Sequence, residues 1–367
     1  MDQPVYSIAT NFDDNLLPEY AELGMTEVYG AIGDLGGIGQ GRPLPALRPA
    51  AADTMLRHIS FARKLGLGFT LVLNPGCTGN REFSSDGLDR LRTLVDRAAT
   101  AGATSVTVSN PVLAQIVREA FPEVRLKVSV LAQVDSLAGI EWWLHEGADV
   151  VVLAPRMNRD FAFLRRTPRS QVGHIELLAN NLCLPHCPLD VYHSQVMAHG
   201  DVVPEGFQDP CLTVCNERLH ANPHLTIASP WIRPEDVHVY EDVGIHRFKL
   251  TDRCKTSDWL LRVARSYASR RSPADLATIL NAPESPTWGD DVMTPGGGHY
   301  HIRYDVLDGL IDHFVEGRCD GDCTTAGCEH CRGIARRAVT GDVGAHSLAA
   351  PSSRERRTCA APAAGCE

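Results

Sequence analysis

The sequence predicts an α/β fold in which eight parallel strands close into a (β/α)8 barrel, followed by a small C-terminal cysteine-rich module. Three observations predict it. A helix, a glycine, a short apolar strand and a polar residue recur in that order along the chain. The recurrence reaches about eight units, and strand–helix alternation of that length makes a parallel sheet that closes on itself. Four cysteines then crowd into thirteen residues near the C-terminus. An open doubly wound sheet is the competing arrangement.

The repeat is legible in "YAELGMTEVYGA", "ARKLGLGFTLVLN", "ATAGATSVTVSN", "LHEGADVVVLAP" and "YEDVGIHRFKLTD". Gly24, Gly66, Gly102, Gly147 and Gly244 each suit a left-handed cap that ends a helix. Phe69–Leu73, Ser105–Val108 and Val150–Leu153 are short apolar runs, as in strands covered on both faces. Leu88, Leu91, Val95 and Ala98 share one face at helical spacing. "PVYSIAT", "RLKVSVLAQ" and "HIELLAN" complete the strand set.

These elements place the barrel at residues 1–285. An insertion at 181–245 is too long for a simple loop and is expected to cover the barrel mouth. Residues 286–338 read as a glycine-rich linker and a cysteine-rich metal-binding module, and 339–367 as a disordered tail of low complexity, in which Cys359 and Cys366 are incidental. "GDLGGIGQGRP" lacks G-x-G-x-x-G spacing and reads as a mobile loop. Chemistry in a barrel gathers where strands end, so Asn11, Asn74, Asn110, Gln133, Arg156, Asn180 and Lys249 fall on one rim. The ordinary fate of any single Asn there is to cap a helix or brace a turn.

At 367 residues, with 44% apolar and 22% charged content, the chain can bury a full core. Its net charge of −10 disfavours nucleic acid, whose electrostatic capture needs basic surface. The start, "MDQPVYSIATNFDDN", has no basic segment and no apolar core of signal-peptide length. No apolar run reaches the ~18 residues of a membrane span. A cytoplasmic location follows as the expectation, and cysteines there read as thiolate ligands rather than disulfides.

Cys183 and Cys187, in "NNLCLPHCPLDVYH", follow the seventh strand; Cys211 and Cys215 repeat their spacing. Cys77 leaves the third strand and Cys254 the eighth. Two matched pairs on one face read as a metal cluster, iron–sulfur before zinc, because structural zinc prefers tighter pairs. Cys319, Cys323, Cys328 and Cys331 lie in a segment too short to bury a core, so four thiolates would staple it around zinc or a second iron–sulfur cluster. Cys187 with His193 is the nucleophile–base alternative. G-x-S-x-G, H-E-x-x-H and phosphate-loop motifs do not occur.

"VYGAIGDLGGIGQGRP", "LVLNPGCTGNREF", "NNLCLPHCP", "SPWIRPEDVHVYEDVGIHRFKLTDR" and the terminal cysteine module together resemble the collagenase-like peptidase family U32, over roughly residues 5–340. The resemblance implies a TIM-like barrel and, as in several members, a cysteine-bound [4Fe-4S] cluster rather than a protease centre. It also implies oxygen-independent hydroxylation, with prephenate as the oxygen donor, on ubiquinone precursors or RNA in the relatives. The pattern matches Cys183, Cys187 and Cys215; Cys77 and Cys211 compete for the fourth ligand, ahead of Cys254.

The function expected is therefore an iron–sulfur hydroxylase or related oxidoreductase acting on a small molecule. Arg156, Lys249 and His193 are its candidate catalytic residues, Arg233 a further basic group for an anionic substrate, and Asn74 and Asn180 the candidate cofactor contacts. The alternatives are a metal- or thiol-dependent peptidase, and a non-catalytic iron–sulfur subunit working beside a related partner.

Overall fold

A computed structural model describes residues 3–32, 41–42, 47–199, 209–282, 300–319, 321, 323 and 328–341. Most of the glycine-rich 33–43 segment, the linker after residue 282 and the tail beyond 341 lie outside the described residues. Eight parallel strands form a closed barrel in chain order: β1 (Val5–Ala9), β2 (Glu27–Gly30), β3 (Gly68–Leu73), β4 (Ser105–Val108), β5 (Arg125–Val128), β6 (Val150–Val152), β7 (Ile175–Leu178) and β8 (Arg247–Leu250). β8 returns to β1 with Ser7 opposite Lys249. The doubly wound alternative is excluded by that closure.

Each strand carries two different faces. Ile8, Val28, Phe69, Leu71, Val106, Leu126, Val151, Leu177 and Phe248 are buried in the shell between sheet and helices. The alternate positions fill the barrel interior with polar groups. There Lys127 donates to Glu27 at 2.8 Å and to Glu176 at 3.0 Å, and Ser7 donates to Glu27 at 2.9 Å. Burial alone would raise the Glu27 carboxyl; the Lys127 ammonium and its hydrogen bond outweigh burial and hold it down at about 2. This charged layer departs from the apolar strands read in the sequence. It seals the interior beneath the rim, with one ammonium shared between two carboxylates.

The helix Ser85–Ala101 shows why the outer layer forms. Ser84 caps it by accepting from the Gly87 N–H, and Leu91, Leu94, Val95 and Ala98 are buried along one face. It stops at Gly102, whose φ of +111° favours glycine. The other four repeat glycines also have positive φ. Asn110 caps the helix Pro111–Ala120 by accepting from Leu113, so this rim asparagine serves the fold.

The 181–245 stretch contributes the helices Asp190–Ala198, Pro210–Ala221, Pro223–Ala228 and Val237–Glu241. The C-terminal segment pairs Tyr300–Ile302 antiparallel with Val339–Gly341. Its helix His330–Ala338 sinks Ile334, Ala335 and Ala338 into the same apolar core. Arg159 lies 4.5 Å over the Phe314 ring and Arg165 donates to the Val315 carbonyl at 2.6 Å, so the module is docked on the barrel.

Candidate functional site

Two cavities open at the strand C-terminal end, the face on which barrel chemistry is assembled. The larger, about 1680 Å³ counted out to its mouth, is the barrel-mouth chamber. Its floor holds Tyr29, Val72, Leu178 and Lys249; its walls include Asn74, Gln133, Arg253 and Cys254. Cys183, Cys187, Cys211 and Cys215 all line it, as does His193.

The turn after β7 presents the first pair. The Cys183 N–H donates to the Ser229 hydroxyl at 3.0 Å, and the Asn181 amide donates to the Cys183 sulfur at 3.0 Å. The second pair sits at the start of the helix Pro210–Ala221, where Asp209 accepts from the Cys211 N–H at 2.8 Å. The other Asp209 oxygen lies 2.9 Å from His193 Nε2, a close contact without hydrogen-bond alignment. Burial pushes the Cys183 and Cys187 thiols up, and burial with the Asp209 charge raises Cys211 to about 11. Cys183 feels the charges of Cys215 and Cys187, and Cys211 that of Cys187. Four thiols on one cavity form an all-sulfur donor set, the ligand type that iron–sulfur clusters use. Among the described residues, no three His, Cys, Asp or Glu side chains close on the position of a single ion.

The predicted residues divide between chamber and surroundings. Lys249 and His193 are in the chamber, and so is Asn74, whose amide donates to Ser129 at 2.7 Å while its buried oxygen has no partner. Cys77 is absent from the lining; its sulfur accepts from the Gly79 N–H at 3.4 Å. Asn180 is fully buried and its amide is consumed by the fold. It donates to Thr251 O and Ile279 O, and accepts from the Thr251 N–H at 2.7 Å, which leaves no donor for a cofactor. Arg233 is spent on Asp236 and Asp308, at 2.8 and 2.9 Å.

Arg156 faces the second cavity rather than the chamber. It donates to Gln133 at 2.9 Å and to Asp135 at 2.6 Å, while Gln133 in turn donates to Asp190 at 2.8 Å. That relay ties the rim to the helix behind Cys187. The second cavity, about 670 Å³, is lined by Cys319, Cys323, Cys328 and Cys331, with His186 and His224 opposite. Burial raises Cys331 to about 12 against the pull of Arg159, and its three sister thiols add to the rise.

Sequence reasoning missed Arg42, Asp252 and Arg253. Arg42 binds Asp252 through two nitrogens at 2.8 Å, anchoring the end of the glycine-rich segment to the chamber. Burial would raise the Asp252 carboxyl, but Arg42 outweighs it and holds the carboxyl far below its ordinary range. The signal was present: "TDR" directly follows β8, where a barrel places its working residues.

Residues 53–160 match the family described as Peptidase family U32. A relative from Methanocaldococcus jannaschii, "Uncharacterized protease MJ1657", is 25% identical over 289 residues, covering 78% of this chain and 82% of its own. The solved structure of the U32 peptidase Mk0906 is 17% identical, covers 68% of this chain and 93% of its own, and superposes with a TM-score of 0.50. The chain is thus similar to peptidase family U32 over residues 53–160. The matched U32 segment ends before Cys183, so the likeness bears on the barrel, while the case for the site rests on the chamber's own residues.

Proposed function

We propose that this U32-like protein is an iron–sulfur enzyme that carries out a redox modification, oxygen-independent hydroxylation in the family's manner, on a small anionic molecule bound in the barrel-mouth chamber. One observation carries the reading: Cys183, Cys187, Cys211 and Cys215 line the same cavity as Lys249 and Arg253. The four thiols would hold a [4Fe-4S] cluster, with Cys211 favoured over Cys77 because Cys77 does not line the chamber. A cluster there supplies one-electron chemistry tuned by burial and by hydrogen bonds to sulfur, such as that from Asn181 to Cys183. Lys249 and Arg253 attract the anion, and Asn74 offers an acceptor that orients it.

The peptidase reading, suggested by the name of the Methanocaldococcus relative, needs a histidine aimed at a thiol. His193 is turned to Asp209 instead. The deciding experiment is anaerobic purification with iron and acid-labile sulfide analysis. Brown protein with iron and sulfide in equal amounts supports the cluster, and a Cys211→Ala variant should lose it while Cys77→Ala keeps it. Colourless, zinc-bearing protein refutes the reading. Cleavage of casein that survives iron removal and vanishes in Cys187→Ala or His193→Ala restores the peptidase.

A further inference from the structure

The chain has four lysines, Lys64, Lys127, Lys249 and Lys255, among 35 basic residues. Arginine otherwise supplies its positive charge. Only Lys64 is exposed; the other three are 3–7% exposed, within the barrel or at its mouth. A lysine can release its proton and attack a carbon, whereas an arginine cannot. An arginine-rich chain that keeps lysine at its centre invites the question of what each one does.

Lys127 is clamped by Glu27 and Glu176. Lys255 lies within the field of Asp252. Lys249 has no such clamp and feels Glu176 and Glu27 only at a distance. Its ammonium sits 4.2 Å over the Tyr29 ring, makes no ion pair among the described residues, and faces the chamber. Burial lowers it to about 8, with Lys127 and Arg253 adding to the fall against Glu176 and Glu27, so a share of the amine is free base near neutrality.

Arg253, four residues along the same strand exit, is the second unmatched group. It is 6% exposed and lines the chamber, and its Nε has no hydrogen-bond partner. The adjacent carboxylate, Asp252, is engaged by Arg42. A buried guanidinium that makes no ion pair among the described residues is costly, and a carboxylate matches its planar donors.

We propose that the chamber binds a 2-oxo carboxylate, with Arg253 holding the carboxylate and Lys249 forming an imine with the adjacent carbonyl carbon. The free amine of Lys249 attacks that carbon. The carbonyl oxygen leaves as water, carrying both amine hydrogens, and a proton from solvent leaves the new C=N bond as an iminium. No electrons are exchanged and no oxidant is required. The inference names the ligand class of the chamber but does not depend on its metal.

The test is trapping with pyruvate and cyanoborohydride, read by peptide mass spectrometry on the full-length protein, with iron measured in the same samples. Hydride reduction of the iminium fixes a 1-carboxyethyl group on the lysine, and exposed Lys64 is the internal reference. We expect labelling of Lys249 at least about tenfold above Lys64, and none at position 249 in Lys249→Arg. Arg253→Gln should raise the pyruvate concentration for half-labelling about tenfold or more, as loss of a charge-assisted contact does. It should leave labelling by acetone, which has no carboxylate, unchanged. Labelling of Lys249 no greater than Lys64 overturns the imine; an unaltered pyruvate requirement in Arg253→Gln overturns the carboxylate assignment. Labelled protein without iron removes the cluster and keeps this proposal, and iron-replete protein without label does the reverse.

Discussion

Replacing Lys127 by methionine should be among the most damaging conservative changes in the barrel. Methionine keeps most of the side-chain length but removes the ammonium that lies 2.8 Å from Glu27 and 3.0 Å from Glu176. Both carboxylates are closed off from water, at 9% and 0% exposure. Removing one partner from a buried ion group costs about 3–5 kcal/mol, because the remaining charge keeps its desolvation penalty and loses its compensation. Here two like charges are left in one interior, so the upper half of that range is expected. The pH dependence gives a separate check. Glu27 is held at about 2 against an ordinary 4.5, so its contribution is present above about 4.5 and is lost as pH falls towards 2. That contribution is on the order of 3 kcal/mol. In Lys127→Met the carboxylates instead become proton acceptors, and the deficit should narrow as pH falls from 7 to 4. The assay is urea unfolding by far-UV circular dichroism, comparing midpoints at equal slope. A variant within about 1 kcal/mol of the parent at pH 7 would refute the reasoning, as would a deficit that widens with acid.

Cys183→Ala and Cys187→Ala should each lose the visible absorption and iron of the parent while keeping its circular dichroism spectrum. Asn180→Ala should cost about 3 kcal/mol by urea unfolding, because Thr251 N–H and two carbonyls lose their partner in the dry interior. Gly102→Ala should cost about 1 kcal/mol, read as a lowered melting temperature, since φ there is +111° and a methyl would meet Arg63 at 3.3 Å.

The glycine repeat made the barrel readable, because a left-handed cap followed by an apolar run is a local signal that needs no tertiary knowledge. Cysteine spacing likewise pointed to the turn after β7 and the helix Pro210–Ala221. What escaped was long-range. Glu27, Lys127 and Glu176 stand roughly 50 and 100 positions apart in sequence and only closure of the sheet makes them partners. Yet "EVYG", "RLKV" and "RFKL" each place a charge or hydroxyl at alternate positions, a two-residue period that marks a polar interior, and "IELL" adds the Glu176 carboxylate. Asn180 and Arg233 were ambiguous in the sequence for a simpler reason. A polar residue at a strand end is as useful for fastening loops as for touching a ligand, and hydrogen-bond inventory alone separates the uses.

The turn from Cys183 to Cys187 faces two ways. Cys183, Leu184 and Cys187 look into the chamber, whereas Pro185 and His186 look into the cavity of the C-terminal cysteines. It is a party wall about one residue thick, with Gly321 pressed against its outer side so that a methyl there would come within 3.3 Å of His186. A wall shared in this way makes the two rooms thermodynamic neighbours: whatever occupies one and shifts the turn alters affinity in the other, and reciprocity fixes the two factors as equal. Were both rooms to bind metal, affinity measured on one side as a function of loading on the other would give a single coupling constant, readable from either direction.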